Sequence, residues 1–191
     1  MHPPAPTDRL AFHPMTDDDL DELAALLGDP VVMRYYPRVR TRAEARDWIT
    51  WNQGLYEREG YGLWTVRLRG TGEFVGDCGL TPQRVDGVTE LEVGYHVRAG
   101  LQGRGYAGEA AAACLAHARD VLGARRLVAI IHPENVPSQR VAEKIGLVHE
   151  RDTLSGDGDP VRIYATALRP SATPRRRPSG GRRPATRRPH A

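Results

Sequence analysis

A glycine-rich segment at residues 102–108, QGRGYAG, has the composition of a phosphate-binding loop. Residues 103–108 match G-x-G-x-x-G, the fingerprint of dinucleotide-binding proteins. Glycine lets the backbone approach a ligand closely, and a helix that begins near Gly105 would present N–H groups without intrahelical partners. Arg98 and Arg104 could add positive charge. The alternative is a tight turn whose glycines only let the next helix pack closely against a sheet.

The surroundings of this segment argue against a nicotinamide or flavin cofactor. A Rossmann unit places its first glycine directly after a buried parallel strand, but here residues 98–102 separate Gly103 from an amphipathic strand. The acidic residue expected about 20 positions further along the chain is missing, and Glu134 comes only later, after a proline. We therefore expect a different phosphate-bearing ligand.

Carboxylates that could transfer protons lie on the strand just before this loop. In residues 89–97, TELEVGYHV, side chains alternate between two faces, one suited to a core beneath the following helix and one facing a cleft. The core face carries Leu91, Val93, Tyr95 and Val97, and the cleft face carries Glu90, Glu92, Gly94 and His96. A glutamate in a cleft can act as a general base, and Glu90 is a second candidate for this role beside Glu92; the alternative is a solvent-exposed strand carboxylate. We interpret His96 as structural rather than basic.

An N-x-x-S element, Asn135 to Ser138, opens a short helix predicted over residues 136–145. Asn135 is a good N-cap, because its side-chain oxygen can accept a hydrogen bond from the N–H groups just ahead. Pro137 suits the first turn of the helix. Helix capping is therefore a sufficient structural explanation of this element.

The two cysteines, Cys78 and Cys114, are too few for a disulfide framework and lack metal-ligand spacing. We expect no metal site. Cys78 could suggest a covalent acyl-enzyme, but it lies in a predicted strand without a partner in sequence, so buried packing is the preferred interpretation.

Hydrophobic periodicity and turn signals predict a series of short strands and helices. The links between the three middle strands, a GTG turn and a longer loop around VDG, allow only antiparallel neighbours. The long helix after the glycine loop carries a stripe of small residues that favours close packing on a sheet. The predicted strands are 9–15, 61–69, 73–82, 89–97, 126–132, 146–154 and 161–168, and the predicted helices are 16–27, 41–59, 105–123 and 136–145.

Length and composition predict one soluble domain. The chain has 191 residues, of which 40% are hydrophobic and 27% charged. We expect no membrane span and no secretory signal, and the cysteine content fits a cytoplasmic protein. The net charge of +3 is misleading, because residues 171–191 contain seven arginines and no acid, and the rest of the chain is acidic. Residues 170–191, rich in Pro, Arg, Gly and Ser, are predicted to be a disordered tail.

Gln102, Gly105 and Ala107 also fit Q/R-x-x-G-x-G/A, the signature of the GNAT superfamily of acetyl-CoA-dependent N-acetyltransferases. The segments ELEVGYHV, GYAGEAAAA and IHPENVPSQRVAEKIGL resemble successive segments of that family, in the same order and at the same spacing. The sequence is similar to this family over roughly residues 8–168, and most similar to the branch that includes the ribosomal-protein N-terminal alanine and serine acetyltransferases. Gln102 and Gly108 depart from the residues usual in that branch.

The resemblance implies a fold, α+β with a mixed, mostly antiparallel sheet of six to seven strands and about four helices. It divides the chain into a flexible N-terminus at 1–7, an acetyltransferase domain at 8–169 and the tail at 170–191. It implies direct attack of a primary amine on acetyl-CoA, with Glu92 as general base through water and Ser138 as general acid. It also implies which residues contact the cofactor. They are Tyr95, His96, Val97, Gln102, Gly103, Arg104, Gly105, Tyr106, Ala107, Gly108 and Asn135.

The acceptor amine is left open by the sequence, since protein N-termini and small-molecule amines present the same group. The family places one wall of the acceptor site in the region MRYYPRVR, where Tyr35 and Tyr36 are candidates for substrate contact, with Glu90 as a further one. Two other functions compete: an acetyl-CoA-binding module without turnover, and an RNA-associated protein acting through its basic tail, which could also contact a ribosome weakly. The protein is expected to be a monomer or homodimer.

Overall fold

A single seven-stranded sheet forms the centre of the computed structural model, which describes residues 2–169. The strands run in the order β1-β2-β3-β4-β5-β7-β6, and every neighbouring pair is antiparallel except β4 and β5. The predicted mixed, mostly antiparallel sheet is thus confirmed. The strands are β1 (Leu10–Pro14), β2 (Leu63–Leu68), β3 (Phe74–Val85), β4 (Val88–Val97), β5 (Arg126–Ile131), β6 (Val148–Leu154) and β7 (Pro160–Ala167).

Helices cover both faces of this sheet. Within the described residues they are α1 (Leu20–Leu27), α2 (Arg42–Glu59), α3 (Tyr106–Asp120) and α4 (Val136–Lys144). One hydrophobic cluster joins α1 and α2 to Leu63 and Phe74 of the sheet. A second cluster joins the small residues of α3 to Trp64, Val93 and other strand residues on the opposite face. No helix in the described part is both long and apolar enough to cross a membrane.

The two faces of β4 separate as the alternation predicts. Val93 is buried, and Leu91, Tyr95 and Val97 pack against the cluster that contains α3. The small-residue stripe of α3 lies in that cluster as well, with Ala111 and Cys114 fully buried. Strand register places Thr65, Asp77 and His96 side by side in one row across β2, β3 and β4. This row lies on the face of the sheet opposite α3, where the indole N–H of Trp48 in α2 donates to Asp77.

The connection between β3 and β4 differs from the predicted long loop. Both strands continue to a two-residue turn, Asp86–Gly87, whose φ angles are +50° and +80°. Asp-Gly is the residue pair that a type I′ hairpin turn prefers, and such a turn matches the twist of the two strands. The start of the first predicted helix also differs, because Asp17–Asp19 form a 3-10 turn behind Thr16 and the α-helix begins only at Leu20.

The parallel pair β4 and β5 is the point at which the sheet opens. Only Glu92 and Val128 are in register between these two strands, and the strands diverge beyond that pair. The gap faces the N-termini of α3 and α4, which follow β4 and β5 in the chain. The candidate catalytic residues that the sequence analysis identifies on β4 therefore lie at or next to an opening in the sheet.

The chain before β1 contacts the body of the protein. Pro4 is buried, and Thr7 hydrogen-bonds Glu109 in the first turn of α3. Arg9 also donates a hydrogen bond to Glu109, and its guanidinium carbon lies 4.6 Å from the centroid of the Tyr106 ring. Thr7 is thus in contact with α3, and the flexibility of residues 1–7 stays a prediction. The tail predicted at 170–191 lies outside the described residues, and the domain boundaries stay predictions.

Candidate functional site

Glu92 lies where β4 leaves β5, and neutral groups hold its carboxylate. The backbone N–H of Ile130 donates to Oε1 at 3.3 Å, and the Thr81 hydroxyl donates to Oε2 at 3.2 Å. Because the strands diverge here, the Ile130 N–H is directed to this carboxylate. Burial raises the pKa of Glu92 to about 7, although these hydrogen bonds act to lower it. Such a carboxylate can both accept and release a proton near neutral pH.

A hydrogen-bonded chain of three side chains lies further along the same face of β4. His96 Nδ1 is 2.7 Å from Asp77 Oδ1, and His96 Nε2 is 2.8 Å from the hydroxyl of Tyr36. Asp77 also accepts hydrogen bonds from the His96 backbone N–H and from the indole N–H of Trp48, each at 3.2 Å. Since a carboxylate accepts hydrogen bonds, this arrangement places the ring proton on Nδ1 and leaves Nε2 to accept from Tyr36.

Between Glu92 and His96 the strand presents Gly94, which has no side chain. A Cβ built there would meet only Leu63, at an ordinary contact distance of 3.7 Å. No β4 side chain therefore separates the Glu92 carboxylate from the hydrogen-bonded group of Asp77, His96 and Tyr36. Burial of its hydroxyl end raises the pKa of Tyr36, and the charges of Glu92 and Asp77 raise it further. The phenol consequently keeps its proton over the whole neutral range.

Tyr35 and Tyr36 bracket the opening between β4 and β5. Tyr36 contacts His96 on β4, with ring centroids 5.2 Å apart. Tyr35 stacks on His132, the residue after β5, with ring centroids 5.7 Å apart. The structure thus brings both predicted acceptor-site tyrosines to the gap in the sheet.

Glu90 is placed apart from this group. Both of its carboxylate oxygens accept from Arg126 Nε at 3.1 Å, and the same guanidinium pairs with Glu150 at 2.8 Å. Its carboxylate is therefore committed to an ion-pair network at the start of β5. A substrate contact by Glu90 stays a prediction.

Two hydroxyl groups meet on the opposite face of β4, at the start of α4. The Ser138 hydroxyl donates to the phenol oxygen of Tyr95, and that phenol donates to the Ser138 carbonyl, each at 3.0 Å. Burial raises the pKa of Tyr95, so its phenol stays protonated near neutral pH. Asn135 caps α4 as predicted, since its side-chain oxygen accepts from the Ser138 N–H at 3.2 Å.

The glycine loop has the geometry of an anion-binding turn. Gly103 and Gly105 have φ angles of +75° and +84°, which side-chain-bearing residues rarely adopt, and Gly105 is the N-cap of α3. The Gln102 side chain donates to the Val97 carbonyl at 3.0 Å, which ties the loop to the end of β4. Arg104 reaches back to the Gly100 carbonyl.

The start of α3 fits a pyrophosphate. Its first N–H groups have no intrahelical partners and carry the positive end of the helix dipole. A Cβ on Gly103 would have no neighbour within 4 Å, so the approach to the loop is open. The acid in the first turn, Glu109, is bound by Thr7 and Arg9 and does not face the loop as an unpaired charge. Residues 102–108 therefore suit the phosphates of a nucleotide-bearing ligand such as coenzyme A.

Asp77, Trp48, Thr81 and His132 belong to the site but are missed by the sequence analysis. Asp77 offers the one usable signal, because it is a lone acid among apolar residues and glycines in the strand segment EFVGDCGL. A charged residue in a strand buried on both faces needs a partner. Which partner it has depends on strand register, which sequence spacing does not supply.

Cys78 and Cys114 pack against each other in the core. Both are buried, and their sulfur atoms are 3.5 Å apart between β3 and α3. Burial raises the pKa of Cys78 well above its ordinary value, and this opposes thiolate formation. The preference for buried packing is thus confirmed, with Cys114 as the neighbour that the sequence did not reveal. Among residues 2–169, no cluster of three or more His, Cys, Asp or Glu side chains could hold a metal ion.

Comparison with known proteins places this chain in a family. Residues 9–148 match the family model described as acetyltransferase (GNAT) domain. The chain is 39% identical over 159 residues to the uncharacterized protein YkkB of Bacillus subtilis (strain 168), covering 83% of this chain and 92% of that protein. It is 30% identical over 145 residues to the uncharacterized N-acetyltransferase YnaD of the same organism, covering 75% and 82%.

Solved structures show the same fold. A GNAT-family acetyltransferase from Bordetella pertussis superposes with a TM-score of 0.72 at 27% identity, covering 86% of this chain and 99% of that one. The ribosomal-protein α-N-acetyltransferase RimL in complex with coenzyme A gives 0.69 at 19%, covering 85% and 96%. Spermidine N-acetyltransferase from Vibrio cholerae, in complex with coenzyme A and spermine, gives 0.67 at 15%, covering 85% and 97%. The protein belongs to the GNAT family of acetyltransferases.

Proposed function

We propose that the protein transfers an acetyl group from acetyl-CoA to a primary amine by direct attack, with Glu92 as the general base. The observation that carries the proposal is the position of Glu92, a carboxylate with a pKa of about 7 at the opening between β4 and β5. Family membership supports the reaction class. Two structural neighbours, RimL and the spermidine N-acetyltransferase of Vibrio cholerae, are complexes with coenzyme A, and this supports acetyl-CoA as the donor.

The donor would lie across the gap between β4 and β5, with its pyrophosphate on the loop 102–108 and the first turn of α3. There the N–H groups from Gly103 to Gly108 supply hydrogen bonds without a side chain in the way. The backbone of Tyr95, His96 and Val97 would run beside the arm of the donor, because β4 is free of a neighbour on this side. Asn135 would meet the same arm from the start of α4.

The chemistry requires that the amine lose its protons and that the departing sulfur gain one. An alkylammonium has a pKa of about 10, so attack needs a base, and general base catalysis contributes about 100-fold or more. Glu92 meets this need through a water molecule. On the other face of β4, Ser138 supplies the proton for the thiolate. The phenol oxygen of Tyr95 accepts from the Ser138 hydroxyl at 3.0 Å and so holds this hydroxyl in place, and Ser138 regains its proton from water.

The acceptor would enter under Tyr35 and Tyr36, which lie over the gap. A protein N-terminus or a small-molecule amine fits this entry equally. One structural neighbour is an acetyltransferase of a ribosomal protein, and another is a spermidine N-acetyltransferase in complex with spermine, so the neighbours include both kinds of amine. We propose a cytoplasmic protein, monomeric or homodimeric.

The test of this function is an assay that measures the free coenzyme A released from acetyl-CoA. The acceptors supplied are peptides with different first residues and small amines. Acetyl-CoA alone should raise the melting temperature, because it binds the folded state. Glu92→Gln should keep this shift and lose about 100-fold in turnover. Glu57→Gln on the exposed surface of α2 is the matched control and should match the parent protein.

Two other functions give different results in the same experiment. A binding module without turnover shows the rise in melting temperature and releases no coenzyme A with any amine. An RNA-associated protein acting through residues 170–191 shows salt-sensitive RNA affinity that is lost when this tail is removed. The tail lies outside the described residues, and its proposed contact with nucleic acid rests on its seven arginines.

A further inference from the structure

Acetylation removes two protons from the acceptor nitrogen, one before attack and one as the amide forms. One proton goes to the departing sulfur, and the other leaves the protein. Glu92 can hold only one proton at a time. If the function proposed above is right, a second acceptor near the nitrogen lets the second proton leave before Glu92 has released the first.

We propose that Asp77, His96 and Tyr36 form this second proton acceptor, with the Tyr36 hydroxyl as the group that touches the amine. Tyr36 donates its own proton to His96 Nε2 at 2.8 Å, so its oxygen lone pairs are left to accept an N–H from the substrate. His96 in turn donates from Nδ1 to Asp77 at 2.7 Å. Both hydrogen bonds therefore point the same way, from the cleft into the protein.

The surroundings of Asp77 suit it to stabilise positive charge on the imidazole. Asp77 and His96 are 1% and 9% exposed, so water screens their interaction little. Within the described part of the chain, His96 is the side chain at ion-pair distance from Asp77, and it becomes cationic only when it takes up a proton. The Trp48 indole and the His96 backbone N–H fix the carboxylate in place. An imidazolium formed at His96 would consequently be paired at once.

The hydrogen-bonded group of Asp77, His96 and Tyr36 lies beside the proposed general base, Glu92. Glu92 and His96 lie on one face of β4 with only Gly94 between them, and the charges of Glu92 and Asp77 both act on the Tyr36 phenol. An amine over Gly94 would have the Glu92 carboxylate on one side and the Tyr36 oxygen on the other. Tyr36 is 44% exposed, so it borders the cleft and does not lie beneath it.

The proton step balances without a co-reactant. An N–H bond of the amine breaks, its electron pair stays on nitrogen, and the proton bonds to the Tyr36 oxygen. The original hydroxyl proton of Tyr36 moves to His96 Nε2, so Tyr36 is neutral before and after. His96 becomes an imidazolium paired with Asp77, and once the product has left it returns the proton to solvent through the hydroxyl of Tyr36, a residue that is 44% exposed. In this step Tyr36 is a catalytic residue and Asp77 is a positioning residue.

A double-mutant cycle of Tyr36→Phe and His96→Gln tests the relay, measured as kcat with a slow amine acceptor. Each single variant should lose about 100-fold in kcat, with a smaller change in KM. The double variant should be no slower than the slower single variant, because either change breaks the same path. Losses that multiply to about 10,000-fold in the double variant would overturn the proposal, as would single variants that match the parent protein.

A second measurement does not depend on how well His96→Gln folds. The rate in mixtures of light and heavy water should depend on deuterium fraction with curvature in the parent protein, because two protons move together. Tyr36→Phe should give a straight line, and Tyr61→Phe, which removes a hydroxyl that takes no part in the hydrogen bonds of Asp77, His96 and Tyr36, should keep the curvature. Equal curvature in the parent protein and Tyr36→Phe would contradict the relay.

These outcomes separate the relay from the function on which it rests. If no amine leads to release of coenzyme A, the proposed function fails. If the parent protein is active and Glu92→Gln is not, while the Tyr36 and His96 variants behave independently, only the relay fails.

Discussion

At the scale of single residues, Glu92 combines a catalytic advantage with a cost in stability. Its described hydrogen-bond donors, the Ile130 N–H and the Thr81 hydroxyl, are neutral. Burial raises its pKa from an ordinary 4.5 to about 7, so the folded protein favours the protonated form. The ionised form is the one that can accept a proton from the substrate. The two consequences can be measured separately.

The pH dependence of turnover should follow the ionisation of Glu92. We expect kcat/KM to rise with pH and to reach half of this rise near pH 7, because only the carboxylate is a base. An alkylamine acceptor adds a separate rise near pH 10, well clear of the first. Rates measured from pH 5 to 9 check this, and a rise near pH 7 that persists in Glu92→Gln would assign it to another group.

The pH dependence of stability should have the opposite sign. A carboxyl whose folded pKa is raised stabilises the protein fully below its unfolded pKa of 4.5, and this contribution is lost as pH rises through about 7. A shift of this size corresponds to roughly 3 kcal/mol. Glu92→Gln keeps the shape and does not ionise, so it should gain stability relative to the parent protein between pH 4.5 and pH 8.

Urea denaturation of both proteins at several pH values measures this difference. The gain should be close to its maximum at pH 8 and should vanish below pH 4.5. Glu57→Gln, on the exposed surface of α2, should show no such trend. A constant difference at all pH values would mean that the carboxylate is not destabilised by burial.

At the scale of elements, the start of α3 depends on a backbone conformation that glycine alone adopts without strain. Gly105 is the N-cap and has a φ angle of +84°, while the helix behind it begins at Tyr106. The same few residues join β4 to α3, because Gln102 binds the Val97 carbonyl. The loop therefore fixes where the helix N–H groups point relative to the strand that carries Glu92.

Gly105→Ala should cost about 1 to 2 kcal/mol of stability, because the added Cβ is disfavoured at this φ angle. It should also weaken binding of coenzyme A by turning the first N–H groups of α3. Gly100→Ala is the matched control, since Gly100 lies in the same loop region with open space around it and an ordinary φ angle. Thermal denaturation with and without coenzyme A checks both effects, and equal behaviour of the two variants would contradict the proposed role of Gly105.

At the scale of the whole molecule, chain segments far apart in sequence meet around the glycine loop. Thr7 and Arg9 bind Glu109, and Arg9 also donates to the Arg104 carbonyl at 3.1 Å. The segment before β1 therefore holds the beginning of α3 in place. It also keeps the acidic side chain in the first turn of α3 from repelling a phosphate.

Arg9→Gln should lower stability by up to about 1 kcal/mol, since the ion pair is partly exposed. It should also weaken coenzyme A binding, because Glu109 then faces the loop without its cationic partner. Added salt should narrow the difference in stability. Arg58→Gln in the last turn of α2 serves as the control, and titration of coenzyme A by calorimetry measures the affinity. Unchanged affinity in Arg9→Gln would show that Glu109 does not act on the loop.

Local features of the sequence were sufficient for the elements and for several of the site residues. The alternation of residues 89–97 separates the two faces of β4, the stripe of small residues buries α3, and Asn135 caps α4. These features depend on periods of two and 3.6 residues and on hydrogen bonds to near neighbours, which adjacent residues determine. The glycine pattern, with the segments around it, led to the right family.

Only the tertiary structure decided which distant side chains meet. It paired Asp77 with His96, Tyr95 with Ser138, Cys78 with Cys114 and Glu90 with Arg126. Each pair depends on strand register or on how a helix lies across the sheet, and shifting a strand by one residue would turn its side chains to the other face. The raised pKa of Glu92 is decided in the same way, because it results from burial where β4 and β5 separate, and no residue near Glu92 in sequence produces that separation.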